Sequence, residues 1–381
     1  MATNFYPEQY QRTGVYPINH NYLPQQFADY EVMLAKVAEV VRQGDFTLGA
    51  AVDRFEQDFA RRNGGRFAIG VGSGTDALFL SLKALGVGEG DEVITTPFTF
   101  FATVGAIVTA GARPVFVDIG ADHNINASLI ETAITERTKV IMPVHWAGIP
   151  CDMETIMAIA RRHNLKVVAD ACHAIQARYQ GELIGKWADV SCFSMHPLKN
   201  LNVWGDGGVI LTDDESLNRQ LSLLRNHGLR DRDHCEVWAY NSRLDTIQAA
   251  VAQYLLDERI DHITAQRVAH AAWLDQALVS LPQVTLPSRD PSKVGVFHLY
   301  MARFERRDEL QRFLQGKGID AKVHYPIPMH LQPAAAPWGY QPGDFPEAEA
   351  LANSCLSLPV HEFINDEQLA YTFACIQEFY S

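Results

Sequence analysis

From about residue 66 the chain alternates short apolar runs of β-type residues with helical patterns. That alternation constrains the fold more than any other feature, because strands joined in succession by crossover helices build a parallel-rich sheet. The runs are Phe67 to Val71, Glu92 to Thr95, Arg113 to Val117, Val140 to Val144, Lys166 to Ala169, Val190 to Phe193 and Gly208 to Leu211. Helical stretches lie between them, among them Asp76 to Leu85, Phe101 to Ala110 and Met153 to His163. Several runs are apolar throughout, as required of strands covered on both faces. After Asp245 the pattern becomes one long helix-like segment, Thr246 to Leu278, and then a short strand-and-helix region to Ser381. At 381 residues the chain is long for a single core. We expect an N-terminal arm over 1–30, a large α/β domain over 31–245 with a mixed, mostly parallel sheet, and a smaller C-terminal α+β domain over 246–381.

Charge and composition exclude some partners. Acidic residues outnumber basic ones by 45 to 32 and the basic ones form no run that tracks a phosphate backbone, so nucleic acid is not expected as a partner. No apolar stretch reaches membrane-spanning length, and residues 1–20 lack the basic and apolar segments of a secretion signal; a cytoplasmic protein away from membranes is expected. The six cysteines are dispersed without CxxC spacing and read as free thiols, with no metal site implied.

Three segments carry residues suited to chemistry. Gly72-Ser73-Gly74-Thr75 joins a strand to a helix; small residues let backbone amides approach an anion, and the helix N-terminus adds its dipole. A capped turn without a ligand fits the same residues. Asp170 ends the apolar run Val167-Val168-Ala169 at what would be the ligand-binding edge of an open sheet, where it can hold a protonated pyridine nitrogen or cap the following helix. Lys199, in Ser194-Met195-His196-Pro197-Leu198-Lys199, follows another strand. A lysine there is either an ordinary solvated side chain or a desolvated nucleophile for a carbonyl carbon.

Phosphate turn, acid and lysine emerge in that order from one sheet edge, which is the set of functions pyridoxal phosphate requires. In these residues the chain resembles the DegT/DnrJ/EryC1/StrS aminotransferases over nearly its whole length, from Gly44-Asp45-Phe46 to Leu358-Pro359-Val360. The resemblance implies the aspartate-aminotransferase-like fold type I and pyridoxal 5'-phosphate as cofactor. It implies that Gly74, Thr75 and Ser194 hold the phosphate, that Phe100 stacks on the ring, that Asp170 meets the ring nitrogen and His173 lies near the ring oxygen. Lys199 matches the Schiff-base lysine. Tyr240-Asn241-Ser242-Arg243 resembles the family's Gly-Tyr-Asn-x-Arg segment, whose Asn reaches the neighbouring subunit's phosphate, so Asn241 implies a homodimer with shared sites. Ala239 in place of Gly and the segment Leu201–Trp204 depart from the common pattern without removing a catalytic group.

The resemblance further implies transfer of an amino group from glutamate to a keto sugar, nucleotide-linked and aminated at C3, in amino-sugar biosynthesis. Lys199 and Asp170 would be the catalytic pair. Arg243 is a candidate for the donor carboxylate, against a structural ion pair with Asp245 or a neighbour, and His324, Tyr325 and His330 are candidate substrate contacts. A sugar dehydratase on the same cofactor and a non-catalytic regulatory protein are the competing readings; lysine rather than histidine at 199 disfavours the first.

Overall fold

The computed structural model describes residues 16–20 and 22–381. All seven expected strands form, as Phe67–Val71, Glu92–Thr95, Arg113–Phe116, Thr138–Ile141, Lys166–Asp170, Val190–Ser194 and Gly208–Thr212, and join in a single sheet. Across it, numbered in chain order, the strands come first, seventh, sixth, fifth, fourth, second, third. The pairs among strands two to six are parallel, while Gly208–Thr212 runs antiparallel to both neighbours. No helix separates Ser194 from Gly208, so the chain reverses without a crossover and must return antiparallel.

Both faces of the sheet are covered. Ile94, Ile141, Val167 and Leu211 face a core shared with Phe55 and Phe59, whereas their neighbours Val93, Val140, Val168 and Ile210 face the opposite core with Leu78 and Leu82. This one-in, one-out register is the pleat of a strand, and with apolar residues on both sides it produces the continuous apolar runs seen in the sequence.

The segment expected as one helix is two, Thr246–Glu258 and Ile260–Leu278, separated at Arg259, whose guanidinium is bonded to Asp29. Ala249, Ala252, Leu255 and Leu256 of the first helix belong to the core of the large sheet; Ala271, Leu274 and Leu278 of the second belong to a separate cluster with Tyr300, Phe304 and Leu356. The chain therefore passes from one core to the other near Arg259, one helix later than the boundary expected after Asp245. The second cluster packs on a three-stranded antiparallel sheet, Val284–Thr285, Tyr300–Phe304 and Cys355–Leu358.

Residues 1–15 and 21 of the expected arm lie outside the described residues. Ile18 bridges to Ile319, and Tyr22 is buried with its ring 4.7 Å from that of His361, so this part of the arm packs on the C-terminal unit. Among the described residues no helix is long and apolar enough to cross a membrane.

Candidate active site

The chemistry-bearing segments meet where the parallel strands end. Asp170 closes its strand with only 6% of its surface exposed. Its Oδ1 accepts the Cys172 backbone N–H at 3.2 Å and its Oδ2 the Thr103 hydroxyl at 2.7 Å; Thr103 Oγ1 is in turn 2.7 Å from Thr99 Oγ1. The backbone is held too, Asp170 N–H bonding to Pro143 and His145 N–H to the Asp170 carbonyl.

Lys199 sits in the irregular loop after Val190–Ser194. Its N–H donates to the His196 carbonyl at 2.8 Å, and its carbonyl accepts the Asn202 side-chain amide at 2.9 Å. That amide also donates to the Pro197 carbonyl at 2.8 Å, so one fully buried side chain closes the loop across the lysine. Burial lowers the Lys199 ammonium below the usual lysine range, outweighing the raising influence of Cys172 and Asp170. The Cys172 thiol beside it is pushed well up, chiefly by burial, and stays protonated.

The turn before the helix Gly74–Ala84 is a cradle shaped by close approach. A Cβ on Gly74 would lie 2.6 Å from Ser194 Cβ and 3.1 Å from Cys172 Sγ, and one on Gly208 would lie 2.2 Å from the Ser73 carbonyl oxygen. Only glycine brings this helix end so near Ser194 and the Gly208–Thr212 strand. Ser73 caps the helix by accepting Asp76 N–H at 3.0 Å, and Thr75 is exposed at its first turn. The first amides of a helix have no intrahelical acceptors and carry the positive end of its dipole, which suits this turn to a phosphate.

A wall of rings closes the other side. Phe100, 37% exposed, lies 5.8 Å from Tyr325; Tyr325 lies 5.8 Å from Trp146, Trp146 5.2 Å from His173, and His173 4.3 Å from His298. Burial, reinforced by the charges of Lys199 and His324, keeps His173 far below the usual imidazole range, hence neutral, and its Nδ1 is buried without a hydrogen-bond partner. His324 donates to or accepts from Ser357 Oγ at 3.0 Å and is lowered to about 4 by burial, with Lys322 and Lys199 adding to the effect. Burial raises the Tyr325 phenol.

Other expected residues stand apart. Asn241 is exposed, on a strip anchored where Ser242 Oγ accepts Gly72 N–H at 3.1 Å. Arg243 makes no ion pair with Asp245; its Nη1 donates to Asn226 Oδ1 at 2.8 Å. His330 does not join the wall of rings: it is 2% exposed, bonded through Nε2 to Glu349 at 3.0 Å and packed on Phe345 at 4.8 Å. Thr103, Asn202 and Trp146 carry parts of the site that the sequence reading did not assign.

A lysine whose ammonium is disfavoured by burial near a buried acid, with a glycine cradle at one end and aromatic rings along one side, defines a pyridoxal-phosphate aminotransferase of fold type I. The residues fit the cofactor: the cradle would be filled by a Cβ, the orphaned His173 nitrogen awaits a partner, and Asp170 offers a fixed carboxylate. The chain belongs to the DegT/DnrJ/EryC1/StrS aminotransferase family, whose model matches residues 28–377. It is 44% identical to the "Pleiotropic regulatory protein" of Geobacillus stearothermophilus, over 94% of this chain and 97% of that one. It is 41% identical to the dTDP-3-amino-3,4,6-trideoxy-alpha-D-glucose transaminase of Streptomyces venezuelae, over 90% and 91%. S. venezuelae DesV, solved in complex with a ketimine intermediate, superposes with a TM-score of 0.92 at 39% identity, covering 96% of this chain and 99% of DesV.

Proposed function

We propose that this aminotransferase moves an amino group from glutamate to the C3 ketone of a nucleotide-linked sugar, working in the cytoplasm as a homodimer with shared sites. The observation that carries the reading is Lys199, an amine desolvated beside Asp170 and opposite the Gly74 cradle. Pyridoxal phosphate, when bound, supplies an electron sink for the charge left at the substrate carbon. Lys199 would hold the cofactor through Nζ, and the same amine, when free, would accept and return the substrate proton. Asp170 would keep the ring nitrogen protonated, Gly74, Thr75 and Ser194 would hold the phosphate, and Phe100 would stack on the ring. The Tyr325–Trp146–His173 wall keeps water from the reacting carbon.

C3 and a nucleotide carrier are supported by the 3-amino sugar named for the S. venezuelae relative. The exposed Asn241, anchored beside Gly72, supports its reaching a second subunit, and Arg243 and His324 are the proposed contacts for donor and sugar.

The test is the absorption spectrum of the purified protein and of Lys199→Ala before and after glutamate, followed by NMR of the product from a 3-keto nucleotide sugar. Loss of the visible cofactor band in the wild type alone, with an amino sugar formed at C3, is expected. A visible band that glutamate leaves untouched overturns the aminotransferase reading and favours the regulatory one suggested by the G. stearothermophilus relative's name.

A further inference from the structure

Thr99 and Thr103 are buried in a site where valine would fill the same volume, so their hydroxyls need a reason. Both lie at or under 2% exposure, and among the described residues their side chains bond only to each other and to Asp170. We infer that Thr103, backed by Thr99, is a positioning residue that locks the Asp170 carboxylate and ties it to the Phe100 ring; the inference rests on the pyridoxal-phosphate reading above.

The direction of the relay follows from counting protons. An ionised carboxylate only accepts, so the single Thr103 hydroxyl proton goes to Asp170 Oδ2, and Thr99 must donate to Thr103. Asp170 then has one donor on each oxygen, from two different elements: the Cys172 amide on Oδ1 and Thr103 on Oδ2. Rotation of the carboxylate about its last bond breaks one or both, which fixes its plane before any ligand arrives.

Thr103 also lies in the first turn of the helix Phe101–Thr109, and its N–H donates to the Phe100 carbonyl at 3.2 Å. Ring platform and acid clamp thus belong to one rigid turn. A ligand ring stacked on Phe100 has its nitrogen registered against Asp170 by the same piece of backbone, so stacking and acid contact are set together.

The experiment uses holoenzyme reconstituted with cofactor labelled with 15N in the ring, whose chemical shift reports protonation of that nitrogen directly. Thr103→Val is expected to move the resonance toward the unprotonated value and slow the glutamate half-reaction about 10-fold with KM within about 2-fold, the pattern of a lost transition-state interaction. Thr103→Ser is expected to restore both, and Thr99→Val, one step back in the relay, to slow the reaction about 3-fold. In an Asp170→Asn background Thr103→Val should change neither readout further, since a residue acting through another is non-additive with it. A wild-type shift and rate in Thr103→Val overturn the inference, as does an equal loss in both backgrounds. If Thr103→Val does not fold, Thr99→Val with a wild-type shift and rate overturns it alone. Failure of the cofactor reading is distinct: the wild type itself would take up no label.

Discussion

Asn202 holds Lys199 by its carbonyl, its side-chain amide donating at 2.9 Å across a loop that has no regular structure of its own. The same amide holds Pro197, so the two ends of the segment that presents the lysine are drawn together from inside. Removing it leaves two partly buried carbonyls short of a donor, at about 1 kcal/mol each. Asn202→Ala is expected to lower kcat more than 10-fold while leaving the fold intact by circular dichroism, because about 1 Å of drift at a reacting group is that costly.

Gly74→Ala puts a methyl group 2.6 Å from Ser194 Cβ, and backbone rather than a flexible tip must give way. Overpacking of this kind costs about 1–3 kcal/mol, and here it also pushes apart the two sides of the phosphate cradle. Titration of the apoprotein with pyridoxal phosphate should show the affinity reduced about 10-fold or more. Unchanged affinity would mean that the phosphate lies elsewhere.

Arg243 faces Asn226 and has no carboxylate partner among the described residues. A guanidinium in that state is free to take a ligand carboxylate in bidentate fashion. Steady-state kinetics of Arg243→Gln should show KM for glutamate raised about 10-fold with KM for the sugar unchanged, as expected for the loss of uniform binding of one substrate.

Among the imidazoles that burial lowers are His123 and His145, brought to about 3, and His324 and His361, brought to about 4, against an ordinary value of 6.5. Above pH 6.5 they are neutral folded or unfolded and cost nothing. Below it the unfolded chain takes up protons that the folded chain refuses, so stability falls with falling pH until the folded values are reached. Each imidazole contributes about 1.4 kcal/mol per pH unit within that window. Urea unfolding at several pH values between 7.5 and 5 should give a slope approaching several protons; a flat profile would show these rings charged in the native state.

The cores were legible because each strand carries apolar residues on both faces, and the order turn, Asp170, Lys199 could be read from three strand ends. Contacts between distant segments could not. Thr103 reads as a helix-start threonine until the fold sets it against Asp170, and Asn202 reads as a departure in a loop until its amide is seen closing that loop. The break at Arg259 has no Gly or Pro to announce it; an ion pair with Asp29 accompanies it instead. His330 sits in a Pro-rich loop typical of binding sites, yet Glu349 and Phe345 draw it into the core.

The antiparallel strand Gly208–Thr212 inserts between the first strand and the sixth, and Gly208 closes directly on the carbonyl of Ser73. A ribosome releasing this chain therefore exports the phosphate turn long before the strand that supports it. Neither the turn nor the lysine loop has its final neighbours until that late strand slots in. Cofactor capture is then expected to wait for the last strand of the sheet, and a chain that stops short of Gly208 would carry the binding residues without the support that sets them in place.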